Sequence, residues 1–484
     1  MASNAVTLPM THGALRVSRM LPGEVWSQIL SFLAEKDLKA VVLAQCPAPD
    51  QAVRLFWEVI TPQNNKLAVL YQKVAHNPQA LANHVQCLTM NFEAPGEQLA
   101  TCTLSFPCLQ KIKVTNNKLY VENVFEKTHI HIKTLIGPAL THLEIGTPEH
   151  ESDATKPLVD NFLQALSQCS DLHTLSIRAC VRGSPRYTEN LVNSSTLKAI
   201  ANLPKLTSLK INKLIDLPLV SLISDIKTPF EALTSLELSI GAEAAVSLLP
   251  RTQQLRSLRL TIHGNKSIFP TFPKLPLLEY LELSFQNFTL TGIDYKQLVH
   301  LSNLTHLELC SAGEEGASGL ITDNVCALFL VEILSELPLL QHFRLAANDT
   351  FDDEFLVALG RRCANLTSLK LSGGYELVGL CNETEVVFPC LQHLEIGDVT
   401  TKNPWMDDGA ENRLANNVVE RVAAPTVNPI TRPVEYRTAI LSMACKLIKH
   451  FPRLLDLMSN QDEDVVDEVF RDFETIRRAG LARR

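Results

Sequence analysis

Three short stretches of this sequence carry residue types that could do chemistry. His129 and His131, in "THIHI", would share one side of a strand, as a pair of metal-binding imidazoles would. No further ligand lies near them in sequence, so no metal site is expected. Asp352, Asp353 and Glu354, in "TFDDEF", crowd three carboxylates together. Calcium needs oxygens at wider spacing, and the run better suits a helix start, where the dipole favours negative charge. Cys445 is the one thiol after Cys390, in "AILSMACKLIKHFPRLL". It lies beside an apolar stripe of Ile440, Ala444, Leu447, Phe451 and Leu454, with no group arranged to lower its pKa, so a structural thiol is expected. The chain contains no G-x-x-x-x-G-K-[ST], no H-E-x-x-H and no G-x-S-x-G. The expectation is a chain with no catalytic residues, no metal and no cofactor.

Composition narrows the class. The chain has 484 residues, 46% of them apolar and 20% charged. That is an ordinary folded composition, but too long for one compact core unless the chain repeats. A formal charge of −8 argues against a general nucleic-acid binder, which wants clustered Lys and Arg. No apolar run is long enough to cross a bilayer, and "MASNAVTLPMTHGALRVSRM" lacks a signal-peptide core. The Cys residues are scattered without a C-x-x-C pair, which reads as reduced, mostly buried thiols. A cytoplasmic or nuclear protein is expected. Triplets such as Asn303-Leu304-Thr305 and Asn365-Leu366-Thr367 read as loop chemistry leading into strands.

The chain does repeat. An L-x-x-L-x-L pattern recurs as "LTHLEI" from Leu140, "LHTLSI" from Leu172, "LTSLKI" from Leu206, "LTSLEL" from Leu233 and "LRSLRL" from Leu255. It continues as "LEYLEL" from Leu278, "LTHLEL" from Leu304, "LQHFRL" from Leu340, "LTSLKL" from Leu366 and "LQHLEI" from Leu391. Looser copies start at Val85 and Leu109. The alternation of the last positions is that of a strand with one buried face. Stretches such as "NVCALFLVEILSEL" lie between copies with apolar residues at helical spacing. One strand plus one helix cannot bury its own apolar face, so the units must stack, parallel strands on one side and helices on the other. The repeats resemble the leucine-rich-repeat family, which implies an α/β solenoid, a horseshoe with parallel strands on its concave face. Long, uneven intervals place insertions near "TPEHESDATKP" and "SAGEEGASG".

The polar residues inside the strands would then line the concave face. They are His142, Glu144, Lys210, Glu237, Arg259, Tyr280, Glu282, His306, Glu308, His342, Arg344, Lys370, His393 and Glu395. Their mixed signs suit a protein ligand better than a polyanion. Any one of them, taken alone, reads as a solvated strand residue, and the face as a whole as the ligand surface.

Ahead of the repeats, "LPGEVWSQILSFLAEKDLKAVVLAQC" puts Leu21, Val25, Ile29, Leu30 and Leu33 at or near helical spacing, with Pro22 suited to a first turn and Asp37 to a cap. The helices are too short to bury these residues among themselves. They either cap the solenoid or await a partner. The stretch resembles an F-box, the helical motif that docks on the Skp-family adaptor of SCF ubiquitin ligases. Leu21, Pro22, Glu24, Val25, Ile29, Leu30, Leu33, Asp37 and Leu38 carry the match, and Trp57 falls where F-boxes often hold a Trp. The third helix, "CPAPDQAVRLFW", departs from the family pattern, with Pro47 and Pro49 breaking its start. The following segment, to Met90, resembles the join between F-box and repeats in many fungal F-box proteins, with Pro78 at a helix start and Val85, Leu88 and Met90 in a strand.

The resemblance implies a receptor rather than a catalyst. Leu21, Pro22, Val25, Ile29, Leu30, Leu33, Leu38 and Trp57 would hold the adaptor and, through it, a cullin/RING ligase. The repeats would hold a target protein for ubiquitination by a separate enzyme. A scaffold without a ligase is the alternative. The expected organisation is a flexible N-terminus over 1–18, an F-box over 19–60, a helical linker or cap over 61–84, repeats over 85–400, a linker over 401–433 and a C-terminal helical cap over 434–484. Within the cap, Tyr436 to Met458 and "NQDEDVVDEVFRDFETIRR" read as amphipathic helices that close the end of the solenoid or, alternatively, form part of the target site.

Overall fold

The computed structural model describes residues 28–30, 33, 49–60, 78–91, 105–115, 136–147, 166–179, 192–286, 288, 290–311, 324–351, 353–376, 383–400, 449–454, 456–459 and 475. The chain divides into two units, Met1–Leu214 with Pro218–Leu233, and Ile215–Leu217 with Thr234–Arg484. Beyond Thr147 and Ser311, the stretches "TPEHESDATKP" and "SAGEEGASG" lie outside the described residues, as do His129, His131, Asp352 and Cys445.

In the first unit, six strands pair in parallel in chain order: β1 Val59–Ile60, β2 Cys87–Asn91, β3 Lys111–Thr115, β4 His142–Thr147, β5 Thr174–Ala179 and β6 Ser208–Ile215. The register is constant. Leu88, Ile112, Leu143, Leu175 and Leu209 lie side by side and are buried. Helices at Pro49–Glu58, Pro78–Ala82 and Ser194–Ala201 accompany them. The helix at Ser194 starts where Asn193 accepts the Thr196 N–H at 2.9 Å. At Pro49 the proline opens a helix rather than breaking one, because its missing N–H falls in the first turn.

In the second unit, eight parallel strands again follow chain order. They are β7 Ser235–Gly241, β8 Ser257–His263, β9 Tyr280–Gln286, β10 His306–Ser311, β11 His342–Phe351, β12 Ser368–Glu376, β13 His393–Thr400 and β14 Asp456–Ser459. Their connections are uneven. Full helices occur at Asn324–Ser335 and Asp353–Arg362, the latter starting at the acidic run as its carboxylates suggest. Elsewhere one or two turns suffice. In "FPTFPK", Phe269–Lys274, two prolines remove helical donors and a 3-10 turn results. At Gly360 the helix packs tightly on the following connection, and a Cβ there would run into the side chains of Val387 and Phe388.

The pattern itself explains the stacking. The N–H of the first Leu of a repeat donates to the carbonyl three residues back, as in Leu255 to Thr252 (3.2 Å), Leu304 to Leu301 (2.9 Å) and Leu366 to Cys363 (3.1 Å). The carbonyl just before most strands, β2 to β5 and β7 to β12, then accepts two N–H groups from the next repeat. Glu279 O takes Thr305 N at 2.8 Å and His306 N at 3.1 Å. A Thr in the second position adds its hydroxyl to that carbonyl, at 2.9 Å for Thr305. The Asn-x-Thr triplets close the turn. Asn303 Nδ2 donates to Pro276 O at 2.8 Å, and Asn365 Nδ2 to Pro338 O at 3.1 Å. The parallel strands, buried Leu ladder and repeating turn make each unit an α/β, leucine-rich-repeat-like stack.

At the C-terminus, Asp456 to Met458, expected at the end of an amphipathic helix, instead belong to strand β14, Asp456–Ser459, paired with β13 through Leu394–Leu457. Phe451 and Leu454, counted there as a helical stripe, are the repeat's turn: Leu454 N–H donates to Phe451 O at 3.2 Å. Spacings of three suit either structure, and Ser459 in the last apolar position hid the copy. Among the described residues of that region, 449–450 and 475 are helical.

Candidate functional site

Alternate strand residues point away from the leucine ladder, and all fourteen of the predicted strand-face residues fall at such positions. They form two rows. His142 in the first unit, and Tyr280, His306, His342 and His393 in the second, occupy the first strand position. Glu144 and Lys210, then Glu237, Arg259, Glu282, Glu308, Arg344, Lys370 and Glu395, occupy the third.

In the second unit these groups are tied to one another. Arg259 bridges Glu237 at 3.5 Å and also pairs with Glu282. Its Nη2 donates to the Tyr280 hydroxyl at 2.9 Å, with the guanidinium 5.4 Å from that ring's centre. The hydroxyl's single proton is shared between Glu282, at 2.8 Å, and Glu308, at 3.2 Å. Burial first, and then these carboxylates, raise the Tyr280 pKa well above the usual phenol range. Arg344 reaches Glu308 at 3.3 Å, and Lys370 reaches Glu395 at 2.5 Å. Beside this row the rings of Tyr280, His306 and His342 run in file. The two imidazoles stack at 4.0 Å and 9°. Burial lowers the pKa of both, and for His342 the neighbouring His306 and His393 lower it further.

The first unit is built differently. Lys113 at 3.2 Å and Arg178 at 3.4 Å lean on the one carboxylate of Glu144. Lys111 lies beside His142 in register, and Lys210 is two strands from Glu144. Burial lowers the His142 pKa, helped by Lys111 and His173. Lys111, Lys113 and Arg178 were not among the expected site residues. The signal was present in "LQKIKV", where lysines occupy both outward positions.

Possible catalytic groups carry less. Ser239 Oγ lies 2.8 Å from His263 Nε2, a pair the sequence gave no cue to. The imidazole's next partner is Gln286, an amide where a nucleophilic triad needs a carboxylate. Burial pushes the thiols of Cys169 and Cys310 up to about 11 and that of Cys363 to about 12, opposite to an activated nucleophile. Among the described residues no group of three or more His, Cys, Asp or Glu could hold a metal, and no helix is long and apolar enough to cross a membrane.

Of the residues expected to hold an adaptor, Leu21, Pro22, Val25 and Leu38 lie outside the described residues. Ile29, on a helical turn, is 43% exposed, while Leu30 beside it is 2% exposed. Leu33 is half-buried, its N–H 3.1 Å from Leu30 O. Trp57 is buried, packed edge-on against Phe56. Leu30 and Trp57 thus face this chain's own interior.

No known family model matches the chain, and no curated protein matches it in sequence. Among solved structures, the crystal structure of the Rad7 and Elc1 complex in yeast aligns with 82% of this chain and 92% of that one, at 16% identity and a TM-score of 0.40. The crystal structure of PEPR1-AtPEP1 aligns with 65% of this chain and 44% of that one, at 14% identity and a TM-score of 0.29. The fold assignment rests on the strand registers rather than on alignments this loose.

Proposed function

We propose that this chain is the substrate-recognition subunit of an SCF-type ubiquitin ligase, working in the cytoplasm or nucleus. In this reading the N-terminal helices dock on a Skp-family adaptor and, through it, on a cullin/RING ligase. The outward strand faces hold a target protein. The chain performs no covalent step itself; it raises the concentration of target lysines near a separate conjugating enzyme. The observation that carries the reading is Ile29, an apolar side chain exposed at a position the F-box resemblance assigns to the adaptor contact, ahead of a repeat array. Leu30 and Trp57 serve this contact indirectly, by fixing the helices from within.

A second reading has its own support. Because Leu30 and Trp57 are buried in this chain, the module could act as a cap on a scaffold that binds partners without a ligase. Affinity purification from cell extract separates the two: adaptor with cullin supports the ligase, and neither, or adaptor alone, supports the scaffold. Ile29→Asp with Leu33→Asp is expected to abolish adaptor binding while the circular dichroism of the repeats is kept. Adaptor retained by that variant would end the F-box assignment.

A further inference from the structure

We propose that the strand face of the second unit takes an aromatic side chain of a partner protein into a notch above Ser368, between the positions of His342 and His393. The inference rests on reading the strand faces as the target-holding surface, and adds the chemistry of one anchor on it.

The first strand position of this unit holds a file of rings with one member missing. In register from β7 to β13 it reads Ser235, Ser257, Tyr280, His306, His342, Ser368 and His393. Two serines precede the file, whereas Ser368 interrupts it. The rings already stack along the sheet. Tyr280 and His306 are 5.5 Å apart between centres, and His306 and His342 are 4.0 Å apart and within 9° of parallel. His306 is steadied by its neighbour in the chain, its Nδ1 2.8 Å from the Thr305 hydroxyl. Because His306 covers one face of the His342 ring, the other face is turned toward β12. There the residue in register is Ser368, whose side chain is too short to cover an imidazole. Both His342 and Ser368 are half-exposed. The backbones at His342 and His393 are two strand spacings apart, roughly 10 Å. A ring entering above Ser368 would lie about 5 Å from each, within the range at which aromatic rings attract one another.

The surroundings select the guest. The next outward residue on β12 is Lys370, flanked in register by Arg344 and Glu395. Arg344 reaches Glu308 at 3.3 Å and Lys370 reaches Glu395 at 2.5 Å, so the charges beside the notch are matched within their own row. A nucleobase would bring its phosphate backbone past Glu308 and Glu395. A guanidinium also stacks on a flat ring, but its charge would stand beside Arg344 and Lys370. An aromatic side chain brings no charge, continues the stack, and offers those two cations the negative face of its ring. Aromatic residues are also the side chains that most often anchor protein interfaces.

The test is ligand-observed saturation-transfer NMR on the purified full chain. The probe is the end-blocked peptide Gly-Ser-Trp-Ser-Gly, with Leu and Arg in place of Trp as controls and adenosine as a free nucleobase. The Trp peptide is expected to bind saturably and more tightly than all three. Ser368→Phe, which fills the notch with a ring of the chain's own, should abolish that binding. His342→Ala, which takes away one wall, should weaken it about fivefold or more, and keeps the inference testable if the first variant misfolds. Ser235→Phe, the same change in the same row on β7, should leave it unchanged. Binding no tighter than the Leu control, indifference to both notch variants, or tighter binding of the Arg peptide or of adenosine would each overturn the inference. Adaptor co-purification with the same preparations keeps the outcomes apart: no peptide binding with adaptor retained removes this inference alone, while lost adaptor removes the receptor reading.

Discussion

In the first unit two cations, Lys113 and Arg178, lean on one carboxylate; in the second a single cation, Arg259, holds two carboxylates, with the Tyr280 hydroxyl reaching from one of them to a third. The backbones beneath are alike, with the same turn, the same two-proton carbonyl and a buried apolar residue, usually Leu, at the second strand position. The outward rows therefore vary without disturbing the stack. A self-satisfied row such as that of the second unit offers a partner shape and a fixed network. A row in which two cations share one carboxylate holds a smaller network. Breaking an internal network costs the complex part of what a new contact gains, so the two faces suit different kinds of ligand.

The comparison can be broken at its base or sharpened at its surface. The largest effect is expected in the shared core. Leu209→Ala in β6 and Leu281→Ala in β9 each remove a fully buried side chain and should each cost ~2–5 kcal/mol, measured by urea unfolding. Peptide-resolved hydrogen exchange should show each loss centred in its own unit. A large loss at one site and none at the other would mean that the ladders are not equivalent.

Next comes the hub of the second unit. Tyr280→Phe leaves Glu282, Glu308 and Arg259 without their common partner and should cost about 1–2 kcal/mol. Lys113→Met in the first unit removes one of two cations sharing a carboxylate and should change stability by less than about 0.5 kcal/mol. Equal losses would erase the distinction between a shared hub and a simple shared carboxylate.

The smallest effect is in pH dependence. His306 and His342 have folded pKa values lowered from the ordinary imidazole value, chiefly by burial, with Glu308 opposing. The unfolded chain then binds protons first as pH falls. Their neutral forms contribute in full above about pH 6.5, and the contribution is lost as pH drops through the folded values. Urea midpoints should decline on acidification below that point, and His342→Gln should flatten the decline. An unaltered slope would assign the acid sensitivity elsewhere.

Much of this was legible in the residues. The L-x-x-L-x-L copies located β2 to β13, and the alternation within each copy placed every outward residue on the correct side. Three things were not legible. Strand β14 was hidden because Phe451, Leu454 and Leu457 are spaced by three, which a helix also satisfies, and because Ser459 fills an apolar position. The lysines of β3 were passed over because "LQKIKV" is an irregular copy. The burial of Leu30 beside an exposed Ile29 depends on what packs behind a short helical turn, which periodicity does not report. Helical stretches were overexpected between strands, since prolines at Phe269–Lys274 leave only a tight turn.

At most strand starts a single carbonyl receives two N–H groups. Everything that sets the pitch between neighbours lies in a handful of residues around that oxygen, so the return path differs in length with no effect on alignment. Copies begin 22 residues apart at Leu233 and Leu255, yet 36 apart at Leu304 and Leu340, and both junctions close the same way. The rear of such a molecule is a place where new peptide can be spliced in over generations, leaving the front untouched.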